Sequence, residues 1–146
     1  MPSLSPSQAC IDLIKRFEGS RNKVYRCPAG VLTIGVGHTG PDVKAGAVWT
    51  DKQIDAALKA DLDRFTVAVR SLIDDAPATQ HQFDALVSLA FNIGTGAFAR
   101  SSVLANHLKR RYPNAAAAFL LWNKGGGKVL PGLVARRAAE ADLYLS

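Results

Sequence analysis

The stretch Phe17 to His38, FEGSRNKVYRCPAGVLTIGVGH, restricts the folds open to this chain more than any other. Before it, Cys10, Ile14 and Phe17 are spaced for one face of a helix. Ser5 as N-cap and Pro6 at the first helical position predict its start, and Gly19 is a natural C-cap. After Gly19 the pattern changes. Val24 and Tyr25, then Val31, Leu32 and Ile34, form short β-prone runs separated by Pro28-Ala29-Gly30. The glycine-spaced TIGVGH segment turns the chain once more. A small antiparallel lobe from Lys23 to about Val48 is the reading, inserted after a single helix.

The remainder is helical in pattern. Thr50 with Gln53 forms a capping box and opens a long helix, in which Ile54, Leu58, Leu62, Phe65, Val69 and Leu72 recur at three- and four-residue steps. Pro77 ends that region. Thr79 with Gln82 repeats the signature, and Phe83, Leu86, Val87, Ala90 and Phe91 predict a helix apolar on more than one side, central in the core. Short helices follow over Ser101 to about Arg111, Pro113 to Trp122 and Pro131 to about Leu145. The triple glycine Gly125-Gly126-Gly127 reads as a mobile break between the last two. The fold class is therefore α+β, with a small antiparallel β lobe, a larger helical lobe and a cleft between them, in one domain spanning residues 1–146.

Bulk properties exclude several classes. The 146 residues suit one domain, and nearly half are apolar, enough for a sizeable interior. No apolar run approaches the roughly 20 residues that span a bilayer. The first residues lack a basic segment followed by a long apolar block, so no secretory signal is expected and the chain is expected to start out cytoplasmic. Two cysteines are too few for a disulfide framework, and Cys10, on the first helix, reads as a buried free thiol. The formal net charge of +6 favours an anionic partner: nucleic acid, a membrane surface or an acidic wall polymer.

Two glycine patterns mislead. Gly35-Val36-Gly37-His38-Thr39-Gly40 matches the dinucleotide fingerprint, but Pro41 follows where a helix N-terminus must receive the pyrophosphate. Gly125-Gly126-Gly127-Lys128 has Val129 where a phosphate loop needs Ser or Thr. The informative chemistry lies elsewhere. Glu18 is followed after eight residues by Cys27 and after five more by Thr33. An acid, a candidate base or nucleophile and a water-orienting hydroxyl so close together are the groups that glycosidic hydrolysis calls for. Glu18 also sits at a helix C-terminus beside apolar Phe17, and both features favour the protonated carboxyl that a general acid needs.

These residues resemble the phage-type lysozymes, glycoside hydrolase family 24, the endolysins. The likeness covers nearly the whole chain: Glu18, Thr33 and TIGVGH, Trp49-Thr50 at the long helix, Phe91 to Phe98 (FNIGTGAF) and Pro131 to Glu140 (PGLVARRAAE). The resemblance implies hydrolysis of the β-1,4 bond between N-acetylmuramic acid and N-acetylglucosamine in peptidoglycan, with Glu18 as the acid and Thr33 helping to hold the attacking water. Phe91 and Ser101 match family positions that line the saccharide cleft, although Phe91 also suits the core and Ser101 also suits a helix cap. His38 is a substrate-pocket candidate near the acid or a structural histidine of the turn. A family-like arginine, Arg136 or Arg137, pairs with the acid or belongs to a solvated basic face. Trp49 and Trp122 read as packing anchors.

One position departs from the commonest family motif, which has aspartate where this chain has Cys27; some relatives carry cysteine. A thiol there can orient water, act as base once ionised or attack the sugar. No cofactor is implied, and His38, His81 and His107 show no zinc spacing. The expected partner is the peptidoglycan glycan strand, whose peptide carboxylates suit the positive charge; nucleic acid, stable membrane insertion and oligomerisation are not expected. Action in the periplasm after a separate protein permeabilises the membrane is the expected setting. The competing readings are a lytic transglycosylase, which needs no water, and a non-catalytic basic module for wall or nucleic acid.

Overall fold

The computed structural model describes residues 4–146. The first helix, α1, runs Gln8–Glu18, two residues later than the Ser5-Pro6 start. Its N-cap residue is Ser7, whose hydroxyl donates to the Asp84 carboxylate and whose N–H donates to Asp84 Oδ1 at 2.9 Å. A partner 77 positions away thus fixes the start of this helix, which no local signal reveals. Cys10, Ile11 and Ile14 are buried, and Gly19 closes the helix. Both cysteines are free thiols, with Cys10 fully buried.

Strands β1 (Arg21–Arg26) and β2 (Leu32–Gly35) pair antiparallel, with Tyr25 opposite Thr33 and Arg26 opposite Leu32. The turn between them is closed by Gly30 N–H donating to Cys27 O at 2.7 Å and Cys27 N–H donating to Val31 O at 3.0 Å. Immediately afterwards Ile34 and His38 exchange backbone bonds of 3.0 and 2.9 Å across Gly35-Val36-Gly37. Gly35 has φ 65 and a Cβ there would stand 3.3 Å from Ile54 Cγ2, so glycine is needed both for the turn and for seating the lobe on the next helix.

That helix, α2 (Asp51–Ile73), begins with the capping box of Thr50 and Gln53 and buries Ile54, Leu58, Leu62, Phe65 and Val69 as the spacing predicts. A second capping box, Thr79 with Gln82, starts α3 (Gln80–Ile93). Every residue from Gln82 to Ala90 is buried, and α3 packs against α1, α2 and the helices that follow. Two polar groups inside this apolar run, Asp84 and Ser88, are both satisfied, as buried polar groups must be.

The C-terminal part holds α4 (Thr95–Ala99), α5 (Ser102–Leu108), α6 (Tyr112–Phe119) and α7 (Pro131–Leu145). The five-residue α4 is too short for any periodicity to announce it. Gly125-Gly126-Gly127 is not a mobile break. Strands β3 (Lys124–Gly125) and β4 (Lys128–Val129) form a hairpin joined by Gly126 and Gly127 at φ 59 and 80, as a two-residue type I′ turn requires. The architecture is α+β: a small antiparallel lobe set against a larger helical one. Among the described residues, no helix is long and apolar enough to cross a membrane.

Candidate active site

Glu18 is the last residue of α1, and a third of its side chain is exposed. Its carboxylate accepts from Arg136 Nη1 on α7, which settles the choice between the two arginines. Neither arginine belongs to a solvated face. Arg136 and Arg137 are both buried, Arg136 Nη2 donates to Ser88 O at 3.4 Å, and Arg137 Nη1 donates to Trp122 O at 3.5 Å. Arg136 Nε donates to Glu140 Oε2 at 3.3 Å. Arg137 Nε stands 2.7 Å from Glu140 Oε1, off-line for a hydrogen bond, so that contact acts through charge.

The hairpin that follows Glu18 carries Cys27 and Thr33. Cys27 is half-buried in the β1–β2 turn, with the backbone of Val31 and Ala29 beside its thiol. These contacts lower its pKa; slight burial opposes them, and the Thr33 hydroxyl adds to them. Thr33 is itself buried, and its Oγ1 donates to Val31 O at 2.9 Å. A hydroxyl has one proton, so Thr33 serves either the carbonyl or the thiolate at any moment.

His38 is tied on both sides. Nδ1 lies 2.7 Å from Asp61 on α2, and Nε2 lies 2.9 Å from Asp42, while Trp49 packs beside the ring at 5.4 Å between centroids. Burial alone would lower its pKa, but the hydrogen bonds to Asp61 and Asp42 carry it above the ordinary histidine value. The same bond lowers Asp42. Both ring nitrogens are thus engaged, Nδ1 in fastening the TIGVGH turn to α2 and Nε2 in holding the loop that follows it. Asp61 escaped the sequence reading; its place between Leu58 and Leu62, at the edge of the buried stripe of α2, was the available signal.

A cleft of about 610 Å³ opens between the β lobe and α2–α3, within the range typical of ligand sites. Val36 and Thr39 line it from the lobe, Asp61, Arg64 and Phe65 from α2, and Phe91 from α3. Phe91 is half-buried and meets Phe65 edge-to-face at 5.2 Å, so it serves core and cleft together. Glu18, Cys27 and Thr33 lie outside this lining. Ser101 is buried as the N-cap of α5, its hydroxyl accepting from Leu104 N at 3.2 Å and donating to Phe98 O at 2.7 Å. Trp49 and Trp122 are partly buried against the core. Among the described residues, no group of three or more His, Cys, Asp or Glu side chains is placed to hold a metal ion.

An acid closing the first helix, a thiol and a hydroxyl on the hairpin behind it and a helical lobe supplying the arginine define a lysozyme-like protein. The chain belongs to the phage lysozyme family, which matches residues 15–140. It is 47% identical over 142 residues to the endolysin of Bacillus phage PZA, and these residues are 96% of this chain but 55% of that protein. The chain thus spans about half the length of that relative. It is 45% identical over 140 residues to the endolysin of Salmonella phage P22, across 93% of this chain and 94% of the relative. Among solved structures, a variant of P22 lysozyme superposes with a TM-score of 0.91 at 42% identity, over 98% of this chain and 99% of that one. The muramidase domain of SpmX from Asticaccaulis excentricus superposes at 0.87 and 41% identity, with the same shares.

Proposed function

We propose that this protein is a muramidase of the endolysin kind, hydrolysing the β-1,4 bond between N-acetylmuramic acid and N-acetylglucosamine in bacterial peptidoglycan during host cell lysis. The observation that carries this reading is the Glu18 carboxyl, partly exposed and held by Arg136, with Cys27 and Thr33 on the hairpin that follows. Glu18 protonates the leaving glycosidic oxygen. Cys27, poised toward the thiolate by backbone donors, activates water on the opposite face of the sugar, which gives inversion. Thr33 orients that water or the thiol. Phe91 and the groups beside it in the cleft offer an apolar face and charges to a glycan strand. The net charge of +6 favours residence on an anionic wall, and the setting is the periplasm once the inner membrane has been permeabilised.

Glu18→Gln tests the reading. The amide keeps the volume but has no proton to give, so clearing of permeabilised Gram-negative cells should fall by roughly 10²–10⁴-fold or more while circular dichroism stays native. Near-native clearing by the folded variant ends the assignment.

A further inference from the structure

The Glu18–Arg136 pair continues inward. Glu140 accepts from Arg136 Nε, faces Arg137 Nε at 2.7 Å and accepts from the Ser88 hydroxyl on α3. Glu140 is fully buried, as are both arginines within a few per cent, and Glu18 alone of the four reaches solvent. Two guanidiniums therefore face two carboxylates, in charge balance.

A general acid must spend part of each cycle neutral. When Glu18 takes up its proton, Arg136 loses that partner, and a buried guanidinium without an anion is costly. Arg136 alone would thus hold Glu18 as an anion and oppose the state the chemistry needs. The second carboxylate removes the conflict. We infer that Glu140 is a positioning residue for the acid: it shares Arg136 with Glu18, keeps the guanidinium partnered while Glu18 is neutral, and so limits how firmly the arginine holds the Glu18 carboxylate.

The surroundings leave Glu140 alone in this role. The elements packed on α7 are α1, α3 and α6. From α1 come Glu18 and Cys10, and burial, with Asp84 and Glu140 nearby, pushes the Cys10 thiol up, so it stays neutral. From α3 comes Asp84, already occupied by Ser7 and Gln80. Helix α6, YPNAAAAF, carries no charged side chain. Burial pushes the Glu140 carboxyl up, while Arg137, the Ser88 hydroxyl and Arg136 draw it back toward the anion.

The inference rests on the muramidase reading, and its test separates the two. Rates on soluble wall glycan are followed against pH for the native protein, Glu140→Gln and Glu140→Asp, with dichroism and thermal midpoint alongside. Glu140→Gln should move the alkaline limb of the rate profile toward acid by about one pH unit, lowering kcat at neutral pH with KM unchanged. Glu140→Asp, which keeps the charge, should recover part of that displacement. A folded Glu140→Gln protein whose limb coincides with the native one, or whose rate falls equally at every pH, overturns the inference. Should Glu140→Gln not fold, Ser88→Ala removes the hydroxyl that draws Glu140 toward the anion, and so weakens the second carboxylate that Arg136 faces. Its limb should move the same way, and coincidence with native overturns the inference equally. Failure of the muramidase reading looks different: Glu18→Gln itself then remains active.

Discussion

Cys27 carries the sharpest question at the scale of single residues. A free thiol with a reference pKa of about 8.5 is mostly neutral near pH 7. The amides around the β1–β2 turn, Val31 foremost, lower that value and enlarge the thiolate fraction. Cys27→Asp should therefore keep full lytic activity, since aspartate is ionised at neutral pH without such help. Cys27→Ala should lose most of it while folding normally, and a thiol alkylating agent should inactivate the native protein. Product anomers divide the two chemistries: inversion follows from activated water, retention with a trappable glycosyl-thioether from direct attack. Full activity in the alanine variant would remove Cys27 from the mechanism. At this scale the placement of Glu18 at the end of the first helix and of Cys27 and Thr33 on the hairpin after it was legible, because each placement depends on local structure alone. Glu140 was not. Its signal was an acidic residue four and three positions beyond two arginines on an alanine-rich helix, which reads equally well as surface.

Elements that depend on nearby residues could be read, and those that depend on distant ones could not. Both capping boxes are present where Thr50 and Thr79 predict them, since cap and partner are three residues apart. The start of α1 was misplaced because its determinant, Asp84, belongs to another helix. The Gly126-Gly127 hairpin was misread because its strands are two residues each and carry lysines at Lys124 and Lys128, with no apolar alternation. Thr79→Ala should cost about 1 kcal/mol in unfolding free energy, and Gly126→Ala a similar amount through its left-handed backbone. Denaturant melts would check both. A neutral Gly126→Ala would mean that the hairpin is not held as described. The two substitutions should also add, being on separate elements.

For the whole molecule, two histidines set opposing dependences of stability on pH. His38 has a raised pKa, so its contribution is fully present below about 6.5 and is lost as pH rises through the folded value. His107 is buried, with Nδ1 2.6 Å from Tyr144 Oη. Burial lowers its pKa, the Pro77 carbonyl offsetting part of the effect. It folds neutral, so its contribution is full above about 6.5 and shrinks as pH falls toward the lowered value. Thermal midpoints measured across pH should therefore decline on both sides of neutrality. His38→Asn should flatten the alkaline decline and leave the acid one, while His107→Asn should do the reverse, each relative to the native curve. Identical slopes in variant and native protein would refute the corresponding assignment. The arginine that holds Glu18 raises a matter of timing. The two residues are 118 positions apart, so a ribosome must reach the second turn of α7 before the acid can meet its counterion. A nascent or prematurely terminated chain carries Glu18, Cys27 and Thr33 yet lacks Arg136 and Glu140. In such a chain the Glu18 carboxylate has no arginine to hold it, so this pairing forms only after Arg136 has been made.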